Sequence, residues 1–487
     1  MEGERPRPPG DALPRTVPSA PPNAALRRAR GAPTRGLLAF TLLFAGCVPR
    51  VDVGPVPVER AARAVEVVVR PASLPEVHFV ATVEAGSAYD PPGAEGLAHL
   101  TAQAAALGAA SAVPGARFDV AVDRDRVALA LTCPAAAQRD CADLFASALA
   151  SPRFEAADVD EARERARGLT RALADDPEAL GRAALATLVF EAHPYAHPPA
   201  GRSSVQPLLT VARIRDFHAK HWVREAVRVG VTGPVDTETP ARLEQGLRAL
   251  PATMAQELPL MAPLPARAPT LAVVETPAAE GVATLHVGWP ARVGTPDGRG
   301  RLPEALRAAG VPAEVDVDLP GLVCGAGASY RRQPHLVATL GPLTPEQAPV
   351  ALQALTVELR RLAEGLTDDE RAAAAAQVDA RRAALAADPV RSLACQLAAG
   401  AVQAQGPASA PRDPARPAAA LDPGVARIVA VAAPRSGLSR SLVEDEPSPL
   451  VHRSPGPGVA LVTGTAPEPD KLQLDGVWTL SAEELFR

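Results

Sequence analysis

The chain has 487 residues, more than one hydrophobic core can organise, and 47% hydrophobic with 22% charged residues is the balance of a folded chain with two or three units. A net charge of -5, arginine in place of all lysines but Lys220 and Lys471, and 3% aromatic residues leave no basic stripe and few stacking surfaces, which excludes nucleic acid as a partner.

From the amino terminus, a proline-rich leader with Arg27, Arg28, Arg30 and Arg35 runs into the apolar stretch Gly36-LLAFTLLFAG-Cys47. A run of about ten apolar residues is too short to span a bilayer and has the layout of a secretory signal peptide. Phe44-Ala45-Gly46-Cys47 looks like a bacterial lipobox, so residues 1–46 are expected to be cut away and Cys47 to carry lipid. Residues 47–64 are then a proline-rich tether. Val48 in place of an aspartate after the cysteine points to the outer membrane, facing the periplasm. Export into an oxidising compartment permits disulfides. Cys133 ends the strand-like Arg126-VALALT run and Cys141 opens a helical stretch, so the two either pair across a short turn or stay as buried thiols.

Structured patterning begins near Val65, and the chain then repeats its order of signals. Val67-VVRPASLPEVHFVATVEAG reads as strands flanking a turn, and Leu271-AVVETPAAEGVATLHVGW repeats it. Leu169-TRALADDPEALGRAAL has its echo in Arg382-AALAADPVRSLACQLA, so the repeat period is about 210 residues. Long helices are expected over Asp158 to Ala174 and Thr367 to Ala387, with Asp158 and Asp368 near their starts, where a carboxylate complements the helix dipole. Strands alternating with such helices give an α+β fold. The expected units are 65–250 and 270–487, joined by the proline-rich linker 251–269; Gly406 to Gly424 reads as a loop.

A family resemblance enters at Gly86-SAYDPPGAEGLAHLTAQAAALGA, and again at Phe190-EAHPYAHPPAGRSSVQPLLTVARIRDFHAKHW followed by Val227-RVGVTGPVD. In order and spacing these segments resemble the insulinase/pitrilysin (inverzincin) metallopeptidases. The resemblance implies two duplicated insulinase-like lobes, each a mainly antiparallel sheet covered by helices. It also implies a zinc site on a helix with the pattern H-x-x-E-H. Two neutral imidazoles would bind zinc there, and the glutamate would take a proton from zinc-bound water.

The matching stretch here is His99, Leu100, Thr101, Ala102, Gln103. His99 keeps the first ligand position, Gln103 replaces the second histidine and Ala102 stands at the base position. The third ligand position falls at Gly168 or Leu169, neither of which binds metal; Glu161 and Glu164 lie too far along the helix and read as solvated charges. The family's substrate-binding arginine and tyrosine fall at Val317 and Cys324, so that clamp is degenerate too. Pro194 and Pro198 hold His193 and His197 in an extended loop rather than a metal site, and His218 and His221 read as surface residues at a helix end.

The expectation is a noncatalytic peptidase-like lipoprotein with no metal cofactor, unless the family's zinc persists. Its expected partner is a related insulinase-family peptidase subunit, with peptides as a further ligand and the membrane reached through the lipid. The rival readings are a zinc metalloendopeptidase with relocated ligands and a stand-alone envelope scaffold.

Overall fold

In the computed structural model the described residues are 64–256 apart from 111, 191 and 192, then 270–290, 314–318, 335–364, 383–403, 426–436, 450–453, 460–463 and 476–481, with isolated positions between. Cys47 and Cys324, and most of the expected linker, lie outside them.

The first sheet is built from β1 (Val67–Pro71), β2 (Glu76–Val83), β3 (Arg117–Val122), β4 (Val127–Pro134) and β5 (Val227–Gly233), in the order β1-β5-β2-β4-β3. Only the β1–β5 pair is parallel. Central β2 is buried on both faces over Phe79-VATV, which is why it reads as a continuous apolar run. On β4 the residues Val127, Leu129, Leu131 and Cys133 point into the core and alternate with half-buried ones, the period of a strand covered on one face.

The second sheet has the order β13-β6-β10-β7-β9-β8, from β6 (Thr270–Glu275), β7 (Ala283–Pro290), β8 (Glu314–Asp318), β9 (His335–Leu343), β10 (Arg427–Ala432) and β13 (Gly476–Ser481). Strands β6, β10, β7, β9 and β8 repeat the order and the pairing directions of β1, β5, β2, β4 and β3. β13 adds a parallel strand outside β6. Strands β11 (Leu450–Arg453) and β12 (Ala460–Thr463) form a separate pair. The doubled topology is the physical content of the repeated sequence signals, and the mixed α+β class follows from it.

The helices are α1 (Leu97–Leu107), α2 (Gln138–Ala150), α3 (Ala156–Ala174), α4 (Pro177–Phe190), α5 (Val211–His221), α6 (Thr239–Leu247), α7 (Ala348–Glu364) and α8 (Pro389–Gln403). Asp158 lies in the first turn of α3. Helices α1, α2, α3 and α5 share one core with the first sheet. The remaining cover is exchanged. α4 packs on β7 and β10 of the second sheet, with Leu180, Leu185 and Phe190 against Ala272, Val274, Val429 and Val431. In return α8 packs on β2 and β5, where Leu393 and Leu397 meet Val80. Glycines make room for the helices: a Cβ at Gly288 would lie 2.8 Å from Leu185, and one at Gly230 would lie 2.7 Å from Leu393. Residues 60–487 accordingly cluster as one unit although the sequence reads as two halves.

Cys133 and Cys141 are joined in a disulfide with a Cα–Cα distance of 6.4 Å, which ties the end of β4 to the first turn of α2. Cys395 on α8 is also disulfide-bonded. His218 and His221 correct the surface reading, since both are buried. The last turn of α5 runs inward: His218 meets the Leu149 carbonyl at 2.9 Å and packs on Trp222, and His221 packs against Tyr89 and Phe217.

Candidate functional site

The candidate site is the amino-terminal half of α1 and what surrounds it. Gly96, at φ 98°, turns the chain into the helix, and its missing Cβ lets the backbone of Ala200 and Gly201 approach; a Cβ there would lie 2.8 Å from the Ala200 carbonyl oxygen. The orphan N–H groups of the first turn are met by a side chain from well before the helix. Gly96 and Ala98 each donate to the Asp90 carboxylate at 2.7 Å. Burial pushes the Asp90 carboxyl well above its ordinary range, with the two N–H donors pulling the other way.

Asp90 is positioned by a turn that is itself pinned. In the β3–β4 hairpin the Asp123 carboxylate accepts from the N–H groups of Asp125 and Arg126, both at 2.7 Å. The backbone of Asp123, Arg124 and Asp125 accepts in turn from Gly86, Ser87 and Ala88. The Arg124 guanidinium donates to the Tyr195 carbonyl at 2.7 Å and lies over the Phe190 ring, and the buried Tyr195 hydroxyl donates to the Asp125 carboxylate. Sequence reasoning does not single out Arg124, Asp125 and Tyr195. The available signal is the charged Asp-Arg-Asp-Arg turn between two alternating strands.

His99 is 5% exposed, its Nε2 meets no hydrogen-bond partner, and burial lowers it to about 4, so it is a neutral imidazole at neutral pH. One turn on, Ala102 is fully buried and Gln103 half-buried, so the helix carries no carboxylate and no second imidazole beside His99.

α3 lies against α1, and its buried positions are Val159, Ala162, Ala166 and Thr170. Of the two expected third-ligand positions, Leu169 is 49% exposed, and Gly168 faces open space, with nothing within 4 Å of where a Cβ would stand. The inward-facing residue of that turn is Thr170, whose hydroxyl donates to Ala166 at 3.1 Å. Glu161 and Glu164 sit on the solvent side in ion pairs with Arg165 at 2.6 Å and Arg167 at 3.5 Å.

Among the described residues no three His, Cys, Asp or Glu side chains gather as a metal site. A single buried imidazole does not fit zinc, which takes at least three protein donors. His193 and His197 are not brought together as a pair of ligands. The His193 Nδ1 accepts from the Tyr195 N–H at 3.0 Å, which caps a 3-10 turn over Pro194–Ala196, and the His197 Nδ1 faces the Pro198 carbonyl at 3.1 Å. Val317 lies on β8, an edge strand of the second sheet, while Cys324 is outside the described residues.

Residues 72–201 match the family model of Insulinase (Peptidase family M16). No curated protein matches the sequence. Among solved structures the chain is similar to an inactive peptidase M16 domain from Pseudomonas fluorescens, at 18% identity and a TM-score of 0.60 over 77% of this chain and 97% of that one. It is similar to a chain of complex III2 from Candida albicans at 15% identity and a TM-score of 0.57, over 79% of this chain and 96% of that one. A protease from Helicobacter pylori aligns at 15% identity and a TM-score of 0.54, over 76% of this chain and 98% of that one. Identities this low speak to fold, and the fold they share is the one described above. Residues 72–201 therefore match an insulinase-family (peptidase family M16) domain, with a degenerate zinc-binding motif, and the described chain shares the fold of these solved structures.

Proposed function

We propose that the chain is a noncatalytic, lipid-anchored subunit that pairs with an active insulinase-family peptidase in the cell envelope. The observation that carries this reading is the content of α1: one imidazole, His99, stands where a working site needs two histidines and a carboxylate base, and α3 offers Ala162, Ala166 and Thr170 rather than a third ligand. An intact protein scaffold around an emptied donor set suits a role in holding or shaping rather than cutting. The similarity to a chain of a multi-subunit complex supports a partner of the same fold, and the lipobox-like Phe44-Ala45-Gly46-Cys47 supports the anchor.

The test is to express the full chain with and without an insulinase-family subunit that carries an intact H-x-x-E-H helix. The expected result is a stoichiometric complex, no zinc bound to the isolated chain by metal analysis, and no cleavage of a peptide library by it. One zinc per isolated chain with chelator-sensitive turnover overturns the reading in favour of relocated ligands. Intact-mass analysis of the mature protein checks the anchor, and a mature chain that still contains Arg27 refutes it.

A further inference from the structure

We infer that His286 is an acid-operated latch, which holds α4 on the second sheet while its ring is neutral and releases that helix when the ring takes a second proton. The inference is independent of the role proposed above and rests on the seat of the exchanged helix. His286 is fully buried on β7, between Val429 of β10 and Thr339 of β9. α4 rides directly on the ring, because Gly181 leaves the space of a side chain that the imidazole fills; a Cβ at Gly181 would collide with Cδ2 and Nε2 of His286.

Both ring nitrogens are engaged. Nδ1 lies 3.1 Å from the Thr339 hydroxyl, and Nε2 lies 3.0 Å from the Thr284 hydroxyl. Thr284 in turn lies 3.4 Å from the carbonyl of Pro177, the first residue of α4. One neutral tautomer satisfies the whole chain. Nε2–H donates to Thr284, Thr284 donates to Pro177, and Nδ1 accepts from Thr339.

A second proton, on Nδ1, removes the acceptor of the Thr339 hydroxyl and places a charge where, among the described residues, no carboxylate acts on the ring. The charged group that does act on it is Arg182 of α4, which opposes the charge and is held by Glu178 at 2.5 Å. On β10 the buried Arg427 lies two residues from Val429, opposite Gly288, and on β9 the ring meets Thr339. Burial, with Arg182 adding to it, keeps the ring neutral down to about 3 while α4 is seated. A ring freed from the helix titrates near its ordinary value of about 6.5, so acid favours the open arrangement.

The first sheet supplies an internal control. There α8 sits on the apolar seat of Val80, Leu393 and Leu397, and the nearby histidine, His78, is only half-buried; burial still lowers it, with Arg117 adding to this and Glu76 and Asp388 pulling the other way. Acid therefore acts more weakly on α8 than on α4.

Hydrogen exchange measured by mass spectrometry on the full chain at pH 7.5 and pH 5.0, corrected for intrinsic rates, tests this. Peptides of α4 are expected to lose protection by about thirtyfold at pH 5.0, the factor by which protonation of a released ring pulls the opening equilibrium, while α8 peptides change less than about threefold. His286→Gln keeps a donor and an acceptor for the two threonines without titrating, and should hold α4 protection flat. His286→Val repeats the test with the residue type that Val80 supplies in the first sheet. Unchanged α4 protection in the unmodified chain, equal loss in α4 and α8, or an undiminished acid response in either folded variant overturns the inference.

Discussion

Asp90→Ala should be among the most damaging single changes in the first lobe, although the residue lies outside every strand and helix of the core. Its carboxylate takes the N–H groups of Gly96 and Ala98 at 2.7 Å each, in a position that is almost fully buried. Alanine leaves both donors without a partner and without water. An orphaned buried donor costs about 1–3 kcal/mol, so the loss should be about 2–6 kcal/mol. Asp90→Asn keeps one oxygen acceptor and turns an amide group toward the other donor, so about half of that loss is expected. Urea titration followed by far-ultraviolet circular dichroism measures the difference. A loss below about 1 kcal/mol for the alanine variant, or equal losses for alanine and asparagine, would refute the account of α1 as a helix capped from a distance.

Two further outcomes follow from the same core. Burial holds His99 down to about 4, below its ordinary value of about 6.5, so the unfolded chain binds the extra proton first and stability is lost as pH falls between these values. His99→Leu should therefore remove about 2 kcal/mol of the stability lost between pH 7.5 and pH 5, while costing little at pH 7.5, where the unpartnered Nε2 contributes nothing; unfolding curves at the two pH values decide it. Removing the Cys133–Cys141 bridge, which closes a short loop of sequence separation 8, with the paired substitutions Cys133→Ala and Cys141→Ala, which leave the bond of Cys395 intact, should lower stability by about 2–3 kcal/mol, read as a shift in urea midpoint without reductant, and no shift would mean that the open loop is already ordered.

The parts of the fold visible in sequence are those whose signal is local. Val67-VVRP is a short apolar run and Val127-ALALT carries the strand period, and β6 and β7 announce themselves by their likeness to β1 and β2. The degenerate α1 motif is legible because one helix carries it whole. Burial of His218 and His221 is not, since a helix end reads as exposed unless the chain beyond it turns back, as Trp222 does here. Counting from a turn puts the third-ligand position at Gly168 or Leu169, whereas helix rotation decides which residue faces α1, and it turns Thr170 inward. Least legible is the exchange of α4 and α8. An apolar helix face announces that it will be covered, but Leu180, Leu185 and Phe190 carry no mark of which sheet covers them.

That exchange has a consequence for the order in which the protein is made. When the first half has left the ribosome, α4 has no sheet to rest on, and Val80 and Gly230 still await Leu393. The seat of α4 includes Val429 and Val431, near the far end of the chain, so at about 5–20 residues per second the half-made protein spends on the order of 10–50 s with both surfaces open. The first sheet closes its own core with α1, α2, α3 and α5 from residues already made, so what waits for the last strands is one apolar helix and one face of that sheet, the two surfaces a nascent chain must keep from pairing wrongly.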